Sequence, residues 1–110
     1  MPTKSSDGTI RFSLKVPPSL YDEIDEFAEN RKWSRSQSVA HLMSEGISGP
    51  DHDVSLADDE TLKSEPISVG TKDDDAVRNV EGLADEEYDG SFNAAARWAI
   101  RNGLEEVPRL

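Results

Sequence analysis

Residues 9–16, TIRFSLKV, alternate in character: Ile10, Phe12, Leu14 and Val16 are apolar, whereas Arg11, Ser13 and Lys15 are polar or basic. Successive side chains of a strand leave on opposite faces, so the pattern predicts a strand with one oily face and one basic face. A lone strand leaves its backbone N–H and C=O groups unpaired, so it requires a partner. Pro17-Pro18 ends it, because proline cannot donate to a ladder and is tolerated in the first turn of a helix. From Pro18 to Arg31 the period changes to helical: Leu20, Ile24, Phe27 and Ala28 form one stripe bordered by Tyr21, and Asp22, Glu23, Asp25, Glu26 and Glu29 form a solvated face. Arg31-Lys32-Trp33 reads as a turn in which Trp33 plugs the joint between two helices. Ser34-Arg35-Ser36-Gln37 has the form of a capping box and opens a second helix, reaching Ile47. Val39, Leu42, Met43 and Ile47 are its inward face, and Gly46 suits a close crossing or the exit.

The order then recurs. Pro66–Thr71, PISVGT, alternates like a strand and aligns with the first at an offset of 55, matching Ile67 to Phe12 and Val69 to Leu14. Val77, Val80, Leu83 and Ala84 repeat Tyr21, Ile24, Phe27 and Ala28 at an offset of 56. Ser91–Leu104 repeats Ser34–Ile47 at an offset of 57, with Gly103 in the place of Gly46. The drift implies one inserted residue at the first helix start and one in the turn between helices. Thr71 is the expected cap of the third helix, and Asp73, Asp74 and Asp75 suit its positive N-terminal end. The chain thus divides into a flexible arm (1–8), a first unit (9–47), an acidic linker (48–65), a second, degenerate unit (66–106) and a tail (107–110).

Charge changes the picture. The 110 residues carry 23 acids and 12 Lys plus Arg, a net charge of −11, a balance that repels phosphate. The acid is unevenly placed: net charge is −1 over residues 1–47, −5 over 48–65 and −5 over 66–110. The first strand is itself net +2. Twelve acids are Asp and only five bases are Lys, the balance of a protein from a salt-accumulating halophile or of an ordinary acidic chain. The absence of Cys excludes disulfides and thiolate metal sites. His41 stands alone, and the Asp-His-Asp cluster around His52 sits in the aperiodic linker, so neither predicts a metal site. With no span-length apolar run and a polar N-terminus, MPTKSSDG, the expectation is a cytoplasmic protein with no membrane partner.

A strand, a helix of about fourteen residues, a tight turn and a capped helix resemble the ribbon-helix-helix family of DNA-binding repressors, the Arc and methionine-repressor type. The resemblance covers residues 9–47 and rests on FSLKVP, LYDEIDEFA and SRSQSVAHLMSEGI. It implies a mostly α fold with a two-stranded antiparallel β-ribbon. Two units must share a core, because about 40 residues bury too little apolar area alone. The linker allows both units of one chain to pair as a pseudo-dimer, the alternative being a homodimer of like units. The resemblance further implies that outward ribbon residues read bases in duplex DNA: Arg11, Ser13 and Lys15, with Ser68 and Lys72 from the second strand. Helix N-termini would grip phosphate, through Ser34, Arg35 and Ser36 on one side and Ser91 and Asn93 on the other. Phe92 stands where Arg35 stands, so the first half would dominate an asymmetric site.

The function expected is that of a transcriptional repressor or autoregulator. The rival is an antitoxin-like or other protein-interaction module whose acidic C-terminal half binds a protein partner. A third possibility keeps the fold and loses DNA binding. No nucleophile–base set, metal spacing or glycine-rich phosphate loop points to an enzyme, and no cofactor is implied.

Overall fold

In the computed structural model, residues 3–51 and 64–106 are described. His52, most of the linker and the 107–110 tail lie outside them. The elements run β1 (Thr3–Lys4), β2 (Ile10–Val16), α1 (Pro18–Arg31), α2 (Arg35–Ser48), β3 (Glu65–Thr71), α3 (Asp74–Glu87) and α4 (Phe92–Glu106). Four helices pack beneath a small antiparallel sheet of order β1-β2-β3. No helix among the described residues is long and apolar enough to cross a membrane.

The sheet follows from the alternation. Ile10, Phe12, Leu14 and Val16 are all buried, as are Ile67 and Val69 from β3. Each such burial stabilises by roughly 1.5–3 kcal/mol. The β2–β3 ladder runs from Ile10 opposite Thr71 to Val16 opposite Glu65, with Ser13 opposite Ser68 at its centre. A residue n therefore faces residue 81 − n, while its counterpart by sequence pattern is n + 55. Phe12 faces Val69, the counterpart of Leu14, and Leu14 faces Ile67, the counterpart of Phe12. The two strands are thus related by a local two-fold through the serine pair.

The helices obey the same relation. α3 starts and ends 56 residues after α1, and α4 starts 57 after α2. The offset grows by one between strand and helix and by one more in the α3–α4 turn, where Asp89 and Gly90 adopt positive φ (52° and 83°). Buried Ser38, Val39, Leu42, Met43 and Gly46 of α2 correspond at 57 to buried Ala95, Ala96, Ala99, Ile100 and Gly103 of α4. The crossing of these helices is reciprocal. A Cβ on Gly46 would lie 1.7 Å from the Ala99 carbonyl oxygen, and one on Gly103 would lie 2.1 Å from that of Leu42. Only glycine lets the two backbones approach so closely.

Asn102, fully buried on α4, has no such counterpart role. It donates to the Gly46 carbonyl at 2.9 Å and to that of Pro50 at 3.0 Å. Proline at position 50 lacks the N–H that would otherwise close the last turn onto Gly46, so the Asn102 amide supplies it. Trp33 closes the α1–α2 joint as expected, edge-on to Phe27 (6.0 Å) and His41 (5.1 Å), with the Arg31 guanidinium over both the Phe27 and Trp33 rings.

The structure corrects the sequence reading at three points. The sheet has three strands, not two, because part of the expected flexible arm, Thr3–Lys4, pairs with Arg11 and Ile10. The connecting turn is made by Asp7, which accepts from the Thr9 N–H, and by Gly8 at φ 88°. The cap of α3 is Asp73, which accepts from Ala76 N–H, whereas Thr71 accepts from Asp73 N–H one step earlier. Finally, the linker is shorter than drawn: Ser48 ends α2 and Glu65 begins β3.

Candidate nucleic-acid interface

Burying the even positions of β2 leaves Arg11, Ser13 and Lys15 exposed on the opposite face, and β3 adds Pro66 and Ser68, with Gly70 half-buried. The outward positions 11, 13, 15, 66, 68 and 70 hold two cations and no carboxylate. The nearest acid in the adjoining turn is Asp7. Hydrogen bonding from the Thr9 backbone lowers its carboxyl below the usual range, and the charge of Arg11 adds to this.

Lys72 lies beyond the paired strand. The ladder ends at Thr71, and the chain bends at Lys72 to enter α3, its carbonyl accepting from Asp74 N–H at 3.0 Å. The five remaining positions expected at phosphates separate into three kinds. Ser34 and Ser91 cap α2 and α4, accepting from Gln37 N–H (3.0 Å) and Ala94 N–H (3.2 Å). Arg35 lies against α1, with Nη2 2.8 Å from Asp25 Oδ1 and its guanidinium over the Tyr21 ring.

Ser36 and Asn93 do something the sequence did not suggest. Ser36 Oγ accepts from Gly70 N–H (2.9 Å) and donates to its carbonyl (3.3 Å). Asn93 accepts from Lys15 N–H (2.7 Å) and donates to its carbonyl (2.9 Å). These pairs are equivalent under the two-fold, since 36 + 57 = 93 and 15 + 55 = 70. Gly70 and Lys15 stand opposite Arg11 and Pro66. Pro66 has no N–H to offer a neighbour, and the backbone groups of Lys15 turn to the outer edge. Asn93 and Ser36 therefore each occupy the outward backbone groups of one edge residue, Lys15 on the side of β2 that β1 covers only at Ile10 and Arg11, and Gly70 on the outer edge of β3, positions that could otherwise template further pairing. They also fix the α2 N-terminus beside one end of the ribbon and the α4 N-terminus beside the other.

Phe92, at the place of Arg35, packs edge-on against Phe12 at 5.1 Å. Trp98 is half-buried and packs against the core. Among the described residues no group of three or more His, Cys, Asp or Glu could hold a metal ion. The sequence does not signal these bonds, because Ser36 and Asn93 differ from one another at matching positions and look like first-turn helix residues. The Asp7-Gly8 dipeptide, a strong turn signal, was the available pointer to β1. Comparison with known proteins returns no match: no family model, no curated protein and no solved structure is significantly similar to this chain.

Proposed function

We propose that this chain is a small sequence-specific DNA-binding protein, a repressor or autoregulator, built as two tandem ribbon-helix-helix units folded on each other. The observation that carries the reading is the outward ribbon face: Arg11, Ser13, Lys15 and Ser68 with no carboxylate among the outward positions, in a chain of net charge −11. A two-stranded ribbon fits the major groove, where each base pair presents a distinct donor and acceptor pattern. Ser36 and Asn93 pin helix N-termini at opposite ends of that ribbon, and the first turn of a helix offers backbone N–H groups to an anion. Arg35 can join them by leaving Asp25, because both partners are well exposed and such a pair is worth about 0–1 kcal/mol.

Pairing within one chain is favoured by the reciprocal Gly46–Ala99 and Gly103–Leu42 approaches. They also weigh against the rival protein-interaction reading, since β3, α3 and α4 form half of the core rather than a detachable segment. The acidic remainder lowers binding to arbitrary DNA, which leaves discrimination to the ribbon.

The test is fluorescence anisotropy on the duplex upstream of the protein's own coding region, across a salt series, comparing wild type with Arg11→Ala. Wild type should bind, and the variant should lose roughly 10- to 100-fold, the worth of one bidentate base contact. Absence of binding above the level for unrelated duplex at every salt concentration refutes the function.

A further inference from the structure

The two ends of the ribbon are chemically different. Under the local two-fold the counterpart of Arg11 is Pro66 (11 + 55) and that of Lys15 is Gly70 (15 + 55). Because Arg11 faces Gly70 and Lys15 faces Pro66, neither end carries the Arg-beside-Lys pair that a symmetric ribbon would place at both. One end has a guanidinium beside a residue with no side chain, and Arg11 Nη1 lies 3.6 Å from the position a Gly70 Cβ would take. The other has a single ammonium beside an exposed proline ring. The first end is also broader, since Thr3 of β1 pairs with Arg11. There Thr3, Arg11, Ser13, Ser36, Ser68 and Gly70 line a shallow polar depression.

Base edges would meet these ends differently. An arginine fork bonds guanine O6 and N7 together, and a glycine beside it lets the base edge come close to the backbone. A lysine makes a point contact without a fixed fork, and a proline ring offers an apolar surface to a thymine methyl. Resting on the DNA-binding function proposed above, we infer that one chain recognises one non-palindromic duplex site. Arg11 reads a guanine at one end, and Lys15 with Pro66 makes the less selective contact at the other.

The experiment is selection from a randomised duplex pool with the full chain, followed by the mass of the complex in sedimentation. The expected result is an asymmetric motif bound by one chain. Arg11→Ala should relax one guanine position by about 10- to 100-fold, and Lys15→Ala should weaken binding with less change in preference. The double variant Pro66→Arg with Gly70→Lys should recover a two-fold symmetric motif. Position 70 admits the side chain, because a Cβ there meets only ordinary contacts of 3.5 and 3.6 Å. A palindromic wild-type motif occupied by two chains overturns the inference while leaving DNA binding intact. Recovery of no enriched sequence overturns the DNA-binding function itself.

Discussion

Gly46 and Gly103 are the tightest of the glycine positions, and Gly46→Ala tests the α2–α4 crossing directly. The added Cβ would sit 1.7 Å from the Ala99 carbonyl oxygen and 2.8 Å from Gly103 N. Both neighbours are backbone atoms and cannot rotate away, so the helices must separate by an ångström or more along a fully buried seam. Forcing extra volume into a packed core costs about 1–3 kcal/mol, and this site belongs at the upper end. Replacing glycine by alanine within a helix gains about 1 kcal/mol in the opposite direction. The net expectation is a loss of about 2 kcal/mol, which lowers Tm by roughly 8–16 °C for a domain of this size. Gly82→Ala is the control: it is exposed in α3 with nothing within 4 Å of the added Cβ, so only the helical gain remains and stability should rise by about 0.5–1 kcal/mol. Urea and thermal unfolding followed by circular dichroism measure both. Combining Gly46→Ala with Gly103→Ala should cost less than the sum, because the first separation makes room for the second methyl. If Gly46→Ala stabilises as Gly82→Ala does, the close reciprocal crossing is wrong, and with it the pairing of the two halves.

Two further outcomes follow from side chains spent on backbone. Asn102→Ala removes the donor to the Gly46 and Pro50 carbonyls in a fully buried setting and should destabilise by about 2 kcal/mol, measured by urea unfolding. The Asp7 carboxylate has its pKa lowered by the Thr9 N–H. Its contribution to the β1–β2 turn is therefore present above the unfolded-state value and fades as pH falls through the lower folded value. A pH titration by NMR should show the Asp7 carboxyl and the Thr9 amide moving together below the ordinary Asp range, and Asp7→Asn should abolish that movement.

What the sequence made legible was whatever repeats at a short period. Alternation over residues 10–16 identified β2 and its outward trio, and the 3.6-residue stripes located α1 and α2 to within a residue or two. The offsets of 55, 56 and 57 are readable because the matched core positions share their polarity: Val39 matches Ala96, Leu42 matches Ala99 and Met43 matches Ile100. What could not be read were contacts made once, between residues far apart in the chain. The bonds of Ser36 to Gly70 and Asn93 to Lys15 depend on where a helix start meets a strand edge, and no local pattern encodes that meeting. Arg35 illustrates the same gap. Its position in the first turn suggested a phosphate ligand, yet an acid on a different helix, ten residues earlier, claims its charge.

If two units are joined in one chain, as proposed, the unequal ends of the ribbon follow. In a dimer of identical chains every substitution appears twice, so a proline at the outward position of one strand would remove Arg11 from both ends of the ribbon. A chain that carries its own partner escapes that constraint. Pro66 and Gly70 alter one strand while Arg11 and Lys15 keep the other, and Phe92 fills an apolar gap against Phe12 while Arg35 keeps its charge. The closest approaches admit less freedom: Gly46 and Gly103 are both glycine because each faces the other helix's backbone, and Ser34 and Ser91 are both caps. Symmetry is therefore kept at the glycine crossing and the serine caps and lost on the outward face of the ribbon, while Asn102 and Phe92 are asymmetric contacts between the halves. That distribution is expected if folding requires the two halves to match and the external surface, reading a sequence without two-fold symmetry, requires them to differ.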